Sequence, residues 1–367
     1  MKSLRQEKIL EIIAREHIET QNQLMEALLR EGVCDFAGVS RAQLADPDWV
    51  NKACSGREAL LRKCIGCMSC NKEVVNHRGI RCAINPRLGR ERDYNAAALR
   101  RDGAGRCVPV IGGGPAGMQA AIVLAERGFR PILFERRAYL GGSAVLASKA
   151  PCKGLVAEYI ETQKNQLAAL GVQVELNHAP TMAELRRLDP YGIFVTMGGQ
   201  QIVPDIPGID RENVFGIEDI LLGRRVIEGR KVAVIGGGHV GLEVAHFLCA
   251  NNKVTIVEMA DEIGASVYYI TKFKLLPVLR ETGVTFRTGQ AIAAVDDGSI
   301  RLRDTHTGQC TELKAEAVVL AMGSRPDLAA RAEFDRNFDH VVYAGDAVRG
   351  GTMLEANRDA FALAWEF

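Results

Sequence analysis

Cys107-Val108-Pro109-Val110-Ile111-Gly112-Gly113-Gly114-Pro115-Ala116-Gly117 is an apolar run broken by three consecutive glycines. Cys107 to Ile111 reads as a buried strand, and Met118, Ala121, Ile122 and Ala125 then recur at helical spacing. Gly128 ends that helix. A second strand, Pro131 to Phe134, finishes on Glu135, about twenty residues past the glycines, as a dinucleotide fingerprint requires. The pattern then repeats. Val232 to Ile235 is a strand, Gly236-Gly237-Gly238-His239-Val240-Gly241 is the turn, Leu242, Ala245 and Leu248 line one helical face, and Val254 to Val257 lead into Glu258.

Each glycine has a task in such a unit. The first allows the sharp turn from strand to helix, the second lets a pyrophosphate approach the backbone, and the third lets helix and strand pack closely. The helix N-terminus faces the phosphates with free N–H groups and partial positive charge. The expected nucleotide-binding residues are therefore Gly112, Gly114, Pro115, Ala116 and Gly117 with Glu135, Arg136 and Gly142 in the first copy. In the second they are Gly236, Gly238, Val240 and Gly241 with Glu258, each glutamate placed to accept from an adenosine ribose. Two complete copies in register outweigh the alternative of glycine-rich loops without a ligand.

Pro109 strains against this, because it lies in a strand that should be central, where a missing N–H breaks the ladder. A local distortion is expected there. Ile193 to Val195 and Val318 to Leu320 are apolar runs ending in Thr196-Met197-Gly198-Gly199 and Ala321-Met322-Gly323-Ser324, read as the closing strands of the two halves, with Gly323 added to the binding set. Irregular stretches with Pro204, Pro207 and Gly208, and with Pro326, follow as crossovers between domains.

The 367 residues exceed one compact core. Lys plus Arg at 46 nearly cancels Asp plus Glu at 45, which removes the electrostatic case for a nucleic-acid or acidic-membrane surface. No apolar stretch has signal-peptide or membrane-spanning length, so a cytoplasmic protein is expected. Cys64, Cys67 and Cys70 form Cys-x-x-Cys-x-x-Cys, and Cys82 follows before Asn85-Pro86. Three thiolates on one tight loop can grip three corners of a cubane while a fourth arrives from a separate turn, which points to a 4Fe-4S cluster. Zinc is the alternative, though zinc ribbons favour two separated pairs. Cys34, Cys54, Cys107, Cys152, Cys249 and Cys310 are scattered singly and read as small buried apolar residues.

Together these features resemble the iron–sulfur flavoenzymes related to old yellow enzyme, among them 2,4-dienoyl-CoA reductase, 2-enoate reductase and trimethylamine dehydrogenase. The resemblance runs from about Gly32 to Phe367. It rests on Phe36-Ala37-Gly38-Val39-Ser40-Arg41-Ala42-Gln43-Leu44-Ala45-Asp46-Pro47-Asp48-Trp49, the cysteine set, the two glycine turns, and Ala344-Gly345-Asp346-Ala347. It implies FAD on the first turn, NAD(P)H on the second, and a return of Gly345 and Asp346 to the FAD, with a helix from Met353 or Leu354 aimed at the flavin; NADH is the coenzyme expected, because the Glu258 carboxylate suits a ribose 2′-hydroxyl and Met259 and Ala260 supply no arginine for a 2′-phosphate. It also implies that most of an FMN-bearing barrel is missing. Only its last loop is expected, with Arg41 matching an FMN-phosphate arginine and Ser40 standing where the family has glycine.

The expected fold is α/β, with two nested Rossmann-like domains of the FAD/NAD(P)-linked reductase type. The boundaries are a helical segment with the barrel end over 1–60, a cluster segment over 61–100, FAD domain over 101–225, NAD(H) domain over 226–325 and FAD return over 326–367. The implied reaction is hydride transfer from NADH to FAD, then single electrons to the cluster and on to a barrel-bearing or other acceptor; FMN enters only with such a partner, and a homo-oligomer is the other expected assembly. No side chain is assigned as acid or base. Paired cysteines of flavin disulfide reductases are absent around Cys152 and Cys249, leaving the cluster as the exit for electrons. The alternative is a non-catalytic remnant or cofactor-holding subunit. Residues 1–30 resemble the start of the arginine-repressor winged helix, but their basic side chains are matched by acidic ones. An amphipathic helix pair covering surface that the absent barrel would expose is expected there rather than a DNA reader or a DNA-binding redox sensor.

Overall fold

The computed structural model describes residues 4–18, 21–35 and 38–367. Phe36 and Ala37 of the barrel-end motif, and Glu19 and Thr20 of the repressor-like segment, lie outside the described residues.

The first glycine turn leaves a five-stranded, all-parallel sheet in the order Val341–Tyr343, Ile193–Val195, Cys107–Ile111, Arg130–Glu135, Gln173–Leu176. Cys107–Ile111 is the middle strand and all five of its residues are buried, as continuous apolar strands of parallel sheets must be. Helices Pro115–Glu126, Gly154–Ala169 and Met353–Glu366 cover one face through Met118, Leu124, Ile160, Phe361 and Trp365. Each such side chain contributes about 1.5–3 kcal/mol by leaving water. Leu185 and Phe334, from two further helices, close the other face.

Pro109 is accommodated without a break. It pairs in register with Ile132, and the strand stays continuous. The carbonyls of Cys107 and Ile111, two residues to either side, accept from Tyr191 and Thr196 of the opposite neighbour. By the two-residue alternation of a strand, the donor Pro109 lacks faces that neighbour, where register pairing is limited to Val110 with Phe194 and Ile111 with Val195. The expected distortion takes the form of a short ladder on one side.

The second glycine turn leaves another parallel five-stranded sheet, ordered Val214–Gly216, Ala317–Leu320, Lys231–Ile235, Lys253–Val257, Thr285–Arg287. An antiparallel meander, Gln290–Val295, Ser299–Asp304 and Cys310–Lys314, packs Ile300 and Leu302 against Ala233 and Val318. Ile193–Val195 and Ala317–Leu320 sit beside the two glycine-turn strands, as their apolar runs imply. The stretches that follow them pair with each other: Gly199–Gln201 runs antiparallel to Ser324–Pro326, tying the two crossings together.

Leu4–Arg15 and Gln21–Arg30 are helices whose small core, Ile12, Ala27 and Leu28, is joined by Ile9, Ile18, Leu24, Val33 and Cys34. Among the described residues this pair buries a small cluster of its own. The reading of the six single cysteines as buried is corrected. Only Cys107 is buried; Cys54, Cys152 and Cys310 are exposed, at a helix end, in a turn with left-handed backbone and on the outer strand of the meander.

Candidate functional site

The two glycine turns close by the same construction. Gly112 has φ +108° and Gly236 φ +110°, a region that side chains avoid, and a Cβ there would come within 2.5 Å of the carbonyl oxygen of Thr196 or Ala321. A Cβ on Gly117 or Gly241 would overlap the carbonyl oxygen of Gly112 or Gly236. The middle glycines differ. Gly238 has open space where a Cβ would stand, and Gly114 has only the Cα of Gly142, 4.0 Å away. These open faces, above the N-termini of helices Pro115–Glu126 and His239–Leu248, are where a pyrophosphate fits.

The glutamates brace the turns. Glu135 is buried and accepts from the backbone N–H of Gly113 at 2.7 Å and of Arg137 at 2.9 Å. Glu258 accepts from Gly237 at 2.6 Å and Ala260 at 2.9 Å. Two backbone donors hold each carboxylate, leaving lone pairs for a ribose hydroxyl. Arg136 and Val240 are exposed. Gly345, φ +64°, lies against Ala116 of the first turn, so the tail does return to it. Asp346 accepts from the N–H of Gly351, and its burial raises its carboxyl above the usual range. Helix Met353–Glu366 follows, opened by a capping box of Thr352 and Glu355. Gly323, φ +85°, stands open in the crossing segment.

Cys64, Cys67, Cys70 and Cys82 line one cavity with Arg41, Leu44 and Ile84. Met68, in left-handed backbone, curls the first loop, and Arg41 reaches its sulfur at 3.8 Å. Burial pushes the Cys82 thiol up to about 11, although the backbone N–H groups of Ile84 and Asn85 donate to its sulfur. Cys70 is raised in the same way, first by burial and then by Cys67 and Cys64, which places these sulfurs within electrostatic reach of one another. Among the described residues, no three His, Cys, Asp or Glu side chains gather closely enough to grip a single metal ion.

Several contacts had no motif to announce them. The Thr196 hydroxyl donates to the carbonyls of Ile111 at 3.0 Å and Gly112 at 2.9 Å, pinning the closing strand to the turn. Tyr268, just before helix Tyr269–Glu281, donates to Asn71 of the cysteine segment at 2.6 Å. Gln163, fully buried, donates to the carbonyl of Pro115 at 3.2 Å. Asn357 stands on the stripe Leu354, Asn357, Phe361, Ala364; a polar residue at such heptad spacing was the one available signal.

At the other end of the chain, Arg15 pairs with Glu16 and Glu31 and Arg30 with Glu16, so the cations that phosphate contacts would use face carboxylates. Among the described residues no helix is long and apolar enough to cross a membrane.

Residues 1–42 match the family described as arginine repressor, DNA binding domain. Residues 107–340 match the family described as pyridine nucleotide-disulphide oxidoreductase. The chain is 34% identical to NADH oxidase of Thermoanaerobacter brockii over 93% of its own length and 53% of that protein's. It is 32% identical to bilirubin reductase of Mediterraneibacter gnavus, over 88% and 50%. A solved 2-naphthoyl-CoA reductase superposes with TM-score 0.87 at 28% identity, covering 95% of this chain and 53% of that one. The chain thus spans about half the length of these relatives. A thioredoxin reductase of Lactococcus lactis, at TM-score 0.56 and 20% identity, shares the fold alone. With both nucleotide turns built alike and the match running through both parallel sheets, the chain belongs to the pyridine nucleotide-disulphide oxidoreductase family and corresponds to the reductase part of the iron–sulfur flavoenzymes related to old yellow enzyme.

Proposed function

We propose that this chain oxidises NADH and passes the electrons, by way of FAD and a 4Fe-4S cluster, to an acceptor beyond it, FMN-bearing or other. When bound, the flavin supplies the change from a two-electron hydride to single-electron steps that a cluster can take. The residues' part is to hold and orient. Gly112, Gly114 and Gly117 with Gly345 and Asp346 form the FAD cradle, and Gly236, Gly238, Gly241 and Glu258 form the NADH cradle. Cys64, Cys67, Cys70 and Cys82, which line one cavity, are the cluster ligands.

One observation carries this reading. Cys64 and Cys82 pack against one apolar cluster with Ala83, Tyr159 and Leu354, and Leu354 lies on the helix that starts a few residues beyond Gly345, against the first turn. Flavin cradle and thiols thus share one packed frame. The test is NADH-driven reduction of ferricyanide by the purified chain. Turnover is expected; its absence in protein that holds both cofactors would leave a cofactor-holding subunit instead.

The same assay checks coenzyme choice. A 2′-phosphate beside Glu258 meets repulsion of up to about 4 kcal/mol per pair of charges at contact distance and intermediate dielectric, less because Glu258 is half-exposed. Arg287, whose carbonyl accepts from the Glu258 N–H on the adjacent strand, is a cation nearby. NADPH is therefore expected to be used more slowly than NADH rather than excluded, and equal or faster reduction by NADPH in rapid mixing would remove the assignment to Glu258.

A further inference from the structure

Asn357 and Tyr159 are buried polar side chains beside the apolar cluster of Ala45, Ala83, Ile84 and Leu354, and both touch the segment that delivers the fourth thiol. The Asn357 amide is fully spent as a donor: Nδ2 gives one N–H to the Ala83 carbonyl at 2.7 Å and one to the Tyr159 hydroxyl at 3.0 Å. Its Oδ1 is buried with no hydrogen-bond partner. A buried acceptor left unmet costs free energy, which the two donor contacts of the same amide offset. Ala83 follows Cys82 directly. The next two residues, Ile84 and Asn85, present their backbone N–H groups to the Cys82 sulfur, and Asn85 is itself anchored by its side chain to the Leu44 carbonyl at 2.8 Å.

Tyr159 belongs to a helix that acts as a strut. From Gly154–Ala169, Gln163 holds the Pro115 carbonyl at the first glycine turn, and Thr162 holds the Leu61 carbonyl, three residues before Cys64, at 3.0 Å. The Tyr159 ring packs in one apolar cluster with Cys64, Cys82 and Leu354. Asn357 lies on the helix that begins beyond Gly345.

We propose that Asn357 and Tyr159 are positioning residues: by anchoring Ala83 they hold the Ile84 and Asn85 N–H groups on the Cys82 sulfur and so set the reduction potential of the metal centre from the flavin side. This rests on the reading that the four thiols carry a 4Fe-4S cluster. Donors on a ligand sulfur stabilise the extra negative charge of the reduced cluster and raise its potential. Loosening Ala83 weakens those donors and lowers it.

The experiment is an anaerobic redox titration of the full chain, followed by electron paramagnetic resonance, for wild type, Asn357→Leu and Tyr159→Phe, with FAD content, iron release to a chelator and thermal melting alongside. Asn357→Leu is expected to shift the cluster potential negative and speed iron release while FAD content stays at the wild-type level. Tyr159→Phe, which keeps the ring and removes only the acceptor of one Asn357 N–H, is expected to shift it in the same direction by less, and it decides the matter if Asn357→Leu does not fold. Potentials and release rates equal to wild type in the folded variants would overturn the proposal. A wild type without iron would instead overturn the cluster reading beneath it.

Discussion

Gly117→Ala is expected to yield protein without FAD. The new methyl would overlap the Gly112 carbonyl oxygen and stand 2.6 Å from the Thr196 hydroxyl, the group that ties the closing strand to the turn. Neither neighbour is the free end of a flexible side chain, so the turn must open. Overpacking of this kind costs about 1–3 kcal/mol, and here the displaced backbone is the proposed binding surface. Gly114→Ala separates binding from folding. Its methyl meets nothing closer than the Gly142 Cα at 4.0 Å, so the melting temperature should match wild type while FAD affinity falls. Gly238→Ala, likewise unobstructed, should raise KM for NADH and leave FAD content unchanged. Flavin fluorescence of heat-released cofactor with a thermal melt checks all three; full FAD retention by Gly117→Ala would show that the first turn is not the flavin cradle.

Serine at any one of Cys64, Cys67, Cys70 or Cys82 is expected to abolish iron and sulfide while leaving FAD in place. The four thiols line a single cavity, and burial raises the Cys82 thiol pKa, a cost that thiolate ligation of a metal would offset. Removing one sulfur leaves the remaining ligands unable to close a cube. Cys54→Ser and Cys310→Ser are the controls, since both thiols are exposed and lie outside the cavity, and both should keep wild-type iron. Iron retained by the four cavity variants, or lost equally by the controls, would contradict the ligand assignment.

Most of the architecture was legible because the glycine turns couple backbone geometry to sequence. Gly112, Gly117 and Glu135 recur as Gly236, Gly241 and Glu258, and each pair meets the same atoms for the same steric reason. The tail was legible only through resemblance, since Gly345-Asp346 alone reads as an ordinary turn; the structure sets Gly345 on Ala116. Thr196, Gln163 and Tyr159 could not be read at all. Their roles come from contacts 48 to 198 residues apart in sequence, and no local period encodes such meetings. Pro109 misled in the other direction, because a strand's tolerance of proline depends on which neighbour its missing donor faces, and that is set by the sheet order. Exposed Cys54 and Cys310 show the same limit: cysteine's preference for the interior is an average over proteins.

The central claim is that one chain holds both a flavin and an iron–sulfur cluster close enough for electrons to pass between them. Protein purified without oxygen, assayed for FAD, iron and sulfide and then reduced with NADH, tests it most directly. The expected result is one FAD with four iron and four sulfide per chain, and a paramagnetic reduced-cluster signal that rises as NADH bleaches the flavin. Flavin bleaching with no iron present, or with a cluster that stays oxidised, would contradict it.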